Sequence, residues 1–202
     1  VIIIKHIKYL LQNKYMCYTL SMKLKIVKDT NPIMRKKSLP VEMPLSSEDR
    51  KTLDNMLEYL KLSQDEEYAT KHNIRSGVGL AAIQIGILKR MFCVYYSLGE
   101  GEYVQYQLVN PKIVETSVRK VALSGGEGCL SVDKDHDGIS HRYYKIVMKA
   151  YDALTNQDVV ITARGYDAIV LQHEYDHLDG IFYYDRIDPK NPKGQLPNEE
   201  LL

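Results

Sequence analysis

The segment His173-Glu174-Tyr175-Asp176-His177 sets two imidazoles four residues apart with a carboxylate between them. On a helix, residues at i and i+4 project from one face, so both rings can close on one metal ion while Glu174 handles protons beside it. The motif therefore demands a helix. Tyr166, Ile169, Val170, His173 and His177 fall on a single helical stripe, which predicts an inward face carrying the pair. Two polar rings on an apolar face need partners, since an unsatisfied buried polar group costs roughly 1–3 kcal/mol. A metal supplies one to each ring; backbone carbonyls would suit a single core histidine better than a pair framing a glutamate. Gly180 fits the C′ position that ends this helix, expected over residues 166–179.

The remainder of the chain must bury that helix. With 202 residues, 45% apolar and 26% charged, it suits one domain with a sizeable core. A formal charge of +1 gives no electrostatic case for nucleic acid or an anionic membrane as main partner. The Arg35-Lys36-Lys37 cluster reads as a solvated turn. Cys17, Cys93 and Cys129 are widely spaced and form neither a disulfide framework nor a C-x-x-C pair, which points to a reducing compartment. No apolar run reaches the roughly 18 residues of a bilayer span, and the start lacks the features of a signal peptide. A cytoplasmic location is expected.

Residues 1–21 read as an extension of unknown role, with Met22 opening a single catalytic domain over residues 22–202. Ile3, Ile7, Leu10 and Leu11 could give the extension a short amphipathic helix. Ser46-Ser-Glu-Asp resembles a capping box, and Leu53, Met56, Leu57 and Leu60 follow at helical spacing, predicting a helix to residues 62–63 and a further turn across 65–71. β-rich runs at 90–96, 103–109, 114–122, 143–151 and 159–162 alternate with turn residues and predict antiparallel strands. Pro189, Pro192 and Pro197 leave the tail without a helix before Asn198. Strands grouped between two helices predict an α+β fold: antiparallel sheets packed around the C-terminal motif helix, with a further N-terminal helix.

A catalytic site of this kind takes three protein ligands and keeps an open position. No histidine follows His177, and Glu199 and Glu200 lie behind a proline-interrupted tail. Cys129, in Gly125-Gly126-Glu127-Gly128-Cys129-Leu130-Ser131, is the better third ligand: glycines permit a tight approach, and thiolate is a strong soft donor. Alone, it would read as a small buried apolar residue. Gly77-Val78-Gly79-Leu80-Ala81-Ala82-Ile83-Gln84 adds small residues that allow close backbone contact, with an amide donor at Gln84. It lacks the lysine of a phosphate loop.

In the order GVGLAAIQ, EGCLS, QHEYDH, these segments resemble the peptide deformylase family over residues 22–188, and the stretch 63–75 together with EGCLSVD resembles its type 2 branch. Ile83 stands where that family usually has proline, which bears on loop rigidity. The resemblance implies hydrolytic removal of formyl from the N-terminal formyl-methionine of new polypeptides, releasing formate, with a transient encounter at the ribosome. It implies Cys129, His173 and His177 as ligands of one divalent metal, natively Fe2+, with Zn2+, Ni2+ or Co2+ able to load. A water on that metal would attack the formyl carbon with Glu174 as general base and then acid. Gln84 and the Leu130 N–H would face the developing oxyanion, and Gly79 would contact the peptide backbone. Val78, Leu130, Tyr166 and Ile169 would surround the methionine side chain.

Glu127 and Arg142 read either as a buried pair steadying the Cys129 loop or as an ordinary surface carboxylate and a solvated arginine. Two rival functions share the motif: a peptidase cutting internal bonds with another third ligand, and a metal-binding domain without catalysis. Glu174 and Gln84 weigh against the second, because neither is needed to hold metal.

Overall fold

The computed structural model describes residues 24–202. Cys17, Met22 and the extension with its candidate helix lie outside the described residues. The first long helix, α1 (Ser47–Ser63), starts where Ser46 Oγ accepts the Asp49 N–H at 3.1 Å, and it buries Leu53, Met56, Leu57 and Leu60. A short α2 (Glu66–His72), capped by Asp65, follows.

Eight strands come next: β1 (Gly79–Ala81), β2 (Met91–Gly99), β3 (Glu102–Thr116), β4 (Lys120–Ala122), β5 (Arg142–Tyr143), β6 (Lys145–Asp152), β7 (Gln157–Arg164) and, at the far end, β8 (Glu199–Leu201). The motif helix α3 (Tyr166–Leu178) precedes β8. A five-stranded antiparallel sheet runs β1-β2-β3-β6-β7, and a three-stranded one runs β5-β4-β8. The α+β class follows from these layers.

Side-chain alternation along the strands distributes residues between two cores. Phe92, Val94 and Tyr96 of β2 join Leu108, Ile146, Met148 and Ile161 against Val170 and Leu171 of α3. Met91 and Cys93 point the other way, to Leu53, Met56, Leu57 and Leu60 of α1. Helix α3 is thus backed by the sheet, with β1 at the sheet's edge beside it.

Several expectations need correction. The runs 103–109 and 114–122 are not two equivalent strands: β3 continues through Asn110-Pro111, whose turn-like appearance is absorbed by a register irregularity with Asn110 at φ 51°. The run 143–151 splits between two sheets at Tyr144. Pairing is not wholly antiparallel, because β8, in a tail for which no strand was expected, lies parallel to β4. Helix α3 is buried beyond its stripe, including Ala168, Leu171, Gln172, Glu174, Asp176 and Leu178, while Tyr166 remains 38% exposed. Arg35 is anchored: it pairs with Asp185 and lies 4.6 Å over the Phe182 ring. Among the described residues no helix is long and apolar enough to cross a membrane.

Candidate metal centre

Helix α3 begins after Gly165, whose φ of 55° suits glycine, and stops at Asp179 with Gly180 at φ 72°. A Cβ at Gly180 would come within 2.5 Å of the Arg35 carbonyl oxygen, so glycine is required for this close approach. Between these ends the helix presents His173 and His177 with Nε2 atoms 3.1 Å apart. The turn carrying Cys129 brings its Sγ to 3.3 Å from His177 Nε2, and the ligand atoms of all three residues lie within 4.8 Å of one another.

The three donors fit a divalent cation. Glu127 Oε2 is 2.7 Å from His173 Nδ1, a partner that holds the Nδ1 proton and turns Nε2 toward His177. Burial, and then His173, push the His177 pKa well below its usual value, keeping that ring neutral. Burial alone would lower His173 too, but Cys129 and Glu127 outweigh it and raise His173 well above its usual value. One sulfur and two imidazole nitrogens thus converge on a single point between the helix and the turn. A soft thiolate with two imidazoles is a donor set for zinc, iron, nickel or cobalt.

Around this cluster the structure gathers most of the other candidates. Glu174 is 3% exposed, and burial raises its pKa to about 7; its Oε2 has no partner among the described residues. Its carboxylate rests against Gly79 of β1, where a Cβ would overlap it. Gln84, in the 3-10 helix Ala82–Ile85, accepts the Ala81 N–H at 2.8 Å through Oε1. That bond aims Nε2 at Ser131 Oγ, 3.1 Å away, and Cys129 Sγ, 3.5 Å away. Ile83 is fully buried in the same turn. Leu130 packs over Gly77, and its N–H has no partner among the described residues.

Glu127 and Arg142 are a buried pair, not surface residues. Arg142 donates from Nε at 2.8 Å and from Nη2 at 3.0 Å to the two Glu127 oxygens. Burial raises the Glu127 pKa, but Arg142 and the His173 hydrogen bond overcome it and lower it to about 2.

The methionine-pocket candidates are less tightly gathered. Val78 is half-buried against the main core and Ile169 is buried, whereas Tyr166, two turns before His173, meets Tyr96 edge-on at 5.3 Å. Glu199 is not near the donors; it accepts from His141 at 2.8 Å.

Three residues escaped sequence reasoning. Asp176 occupies the variable part of the motif, and its place on the helix was a usable signal. Arg186 pairs with it, and Gln64 holds Gly77; neither has a local signature.

Fold and donor set define a class, a metal-dependent hydrolase with its histidine pair on a buried helix. Comparison with known proteins supplies the family: the family model described as polypeptide deformylase matches residues 23–193. A peptide deformylase of Macrococcus caseolyticus is 49% identical over 168 residues, covering 83% of this chain and 91% of that protein. One from Staphylococcus epidermidis is 48% identical over 178 residues, covering 88% and 96%. Among solved structures, a Met-Ala-Ser-bound class I type b peptide deformylase from Acinetobacter baumannii matches with a TM-score of 0.66 at 29% identity, covering 83% of this chain and all of that one. The chain belongs to the peptide deformylase family of enzymes.

Proposed function

We propose that this enzyme hydrolyses the formamide of N-terminal formyl-methionine on newly made polypeptides, releasing formate and a free amine. The observation that carries this reading is Glu174: a buried carboxylate with a raised pKa, set between the two histidines and against the edge of β1. Cys129, His173 and His177 would hold the divalent metal, iron(II) in our reading, which would supply Lewis acidity toward water and the formyl oxygen.

The chain's own groups do the rest. Glu174 takes a proton from the attacking water and passes it to the amine nitrogen as the C–N bond breaks, as a group with a pKa near working pH can. The formyl oxygen gains negative charge, and Gln84 Nε2 and the Leu130 N–H are the donors that receive it. The Val78 carbonyl accepts from Tyr95 N at 2.9 Å within the sheet, so by strand alternation the Gly79 N–H and C=O face the open edge. An extended peptide can pair there through backbone alone, which suits an enzyme acting on many sequences. Val78, Leu130, Tyr166 and Ile169 offer apolar surface for the methionine side chain. Glu127 and Arg142 steady the Cys129 turn and orient His173. Substrates of this kind emerge at the ribosome, where a transient encounter follows. The Met-Ala-Ser bound to the Acinetobacter relative is what such a reaction would leave from formyl-Met-Ala-Ser.

The test is formate release from formyl-Met-Ala-Ser by anaerobically prepared, iron-loaded protein. Glu174→Gln should lower turnover roughly 10²- to 10⁴-fold at unaltered metal content. Wild-type protein that holds metal and releases no formate would overturn the reading.

A further inference from the structure

The motif carries a second buried carboxylate that the reaction above leaves without a task. Asp176 lies three residues after His173 and one before His177, is 5% exposed, and receives hydrogen bonds from two arginines. Arg142 Nη1 donates to its Oδ2. Arg186 grips it bidentately, from Nε to Oδ2 at 3.0 Å and from Nη2 to Oδ1 at 2.7 Å.

Arg142 turns its remaining edge to Glu127, which accepts from His173 Nδ1. The contacts therefore leave α3 at His173, cross to the Cys129 turn, pass to β5, and return to α3 at Asp176. A closed ring fixes its members relative to one another in a way an open chain does not. Glu127 is two residues before Cys129, so one guanidinium clamps the cysteine-bearing turn to the part of α3 that carries His177.

Charge explains Arg186. Without it, the ring would hold two carboxylates against one guanidinium, and Asp176 would compete with Glu127 for the Arg142 donors. Arg186 comes from the 3-10 helix Tyr183–Arg186, with its side chain 42% exposed, and supplies the second cation from the outer side. With Asp176 satisfied from outside, Arg142 keeps its Nε and Nη2 for Glu127. Buried ion networks add little stability over apolar packing, so stability alone is a poor reason for four charged side chains in this place.

We propose that Asp176 and Arg186 are positioning residues of the metal centre: by holding Arg142 they set the Cys129 turn against His177 and the orientation of the His173 ring. This rests on the reading of Cys129, His173 and His177 as metal ligands. Neither residue touches substrate or the donor atoms.

The experiment follows zinc loss from zinc-loaded protein into an excess of chelator, alongside the denaturant midpoint of the chelated protein. Arg186→Gln and Asp176→Asn should each lose zinc about 10- to 100-fold faster than wild type, with the chelated Arg186→Gln protein unfolding at the wild-type midpoint. Arg186→Lys should fall between, because an ammonium restores the charge but not the two-pronged grip. Arg119→Gln, which breaks an exposed pair with Glu200, should lose zinc at the wild-type rate. Unaltered zinc loss in Arg186→Gln overturns the proposal, as does faster loss accompanied by an equal fall in the chelated protein's stability. If Asp176→Asn does not fold, Arg186→Gln decides alone. Wild type that binds no zinc would instead sink the ligand assignment itself, whereas zinc-holding wild type beside an unaltered Arg186→Gln sinks only the positioning role.

Discussion

Gly79 shows how a residue without a side chain can define a site. The Glu174 carboxylate occupies the space where a Cβ would stand, so any side chain there must displace either β1 or the carboxylate. Misplacing a reacting group by about 1 Å can cost on the order of 100-fold in rate. Gly79→Ala should accordingly lower kcat/KM for formyl-Met-Ala-Ser about 100-fold at unaltered metal content; a loss under about threefold would show that Glu174 does not need this space. Glu127 makes a second prediction at the same scale. Its pKa falls from an ordinary 4.5 to about 2 in the fold, so its contribution is fully present above pH 4.5 and is lost as pH drops toward 2. In chelated protein, Glu127→Gln should flatten the fall in stability across that window, read from denaturant midpoints at successive pH values. Wild-type steepness in the variant would remove Glu127 from the acid response. The histidine pair and Glu174 were legible in the sequence because four-residue spacing on one helix is local. Arg142 lies 15 residues from Glu127 and could only be offered as a candidate, since no sequence pattern distinguishes a buried arginine from a solvated one.

At the scale of elements, the end of α1 holds the strand that faces the site. Gln64 Nε2 donates to the Gly77 carbonyl at 2.8 Å and to the Tyr95 carbonyl at 2.7 Å, while Ser63 Oγ accepts the Gly77 N–H at 3.1 Å. Both backbone groups of Gly77 are thus taken up by α1, and β1 enters the site from a fixed point. Gln64→Ala leaves two carbonyls short of a donor and should cost about 1–3 kcal/mol. We expect a melting temperature lower by several degrees and a raised KM with kcat within about twofold, because the edge we propose for peptide pairing loosens while the three candidate metal ligands keep their places. An unaltered KM with lowered stability would confine Gln64 to the fold. Helix α1 was readable from Ser46 and four leucine-spaced positions, since caps and periodicity are properties of neighbouring residues. Strand β8 was not: Glu199–Leu201 pairs with β4 some 80 residues away, and three residues between a proline and the tail carry no period of their own. Continuity through Asn110-Pro111 was likewise invisible, because only the partner strand β6 decides whether such a pair turns the chain or bulges within it.

For the molecule as a whole, the donors come from separate parts of the architecture. His173 and His177 ride on α3 over the large sheet, whereas Cys129 follows β4 of the small sheet. A metal held by all three would join the two sheets and act as a cross-link in addition to its chemistry. A ligand that binds only the folded state stabilises it by about 4 kcal/mol at a thousandfold excess over its dissociation constant. At roughly 2–4 °C per kcal/mol for a chain of this size, zinc or iron(II) should raise the melting temperature by about 10 °C over the chelated protein. Cys129→Ala removes the donor from the small sheet and leaves both histidines on α3, so metal should shift its melting temperature by no more than about a third as much. An equal shift in wild type and Cys129→Ala would mean that the metal is held by α3 without the cysteine, and it would reopen the choice of third ligand.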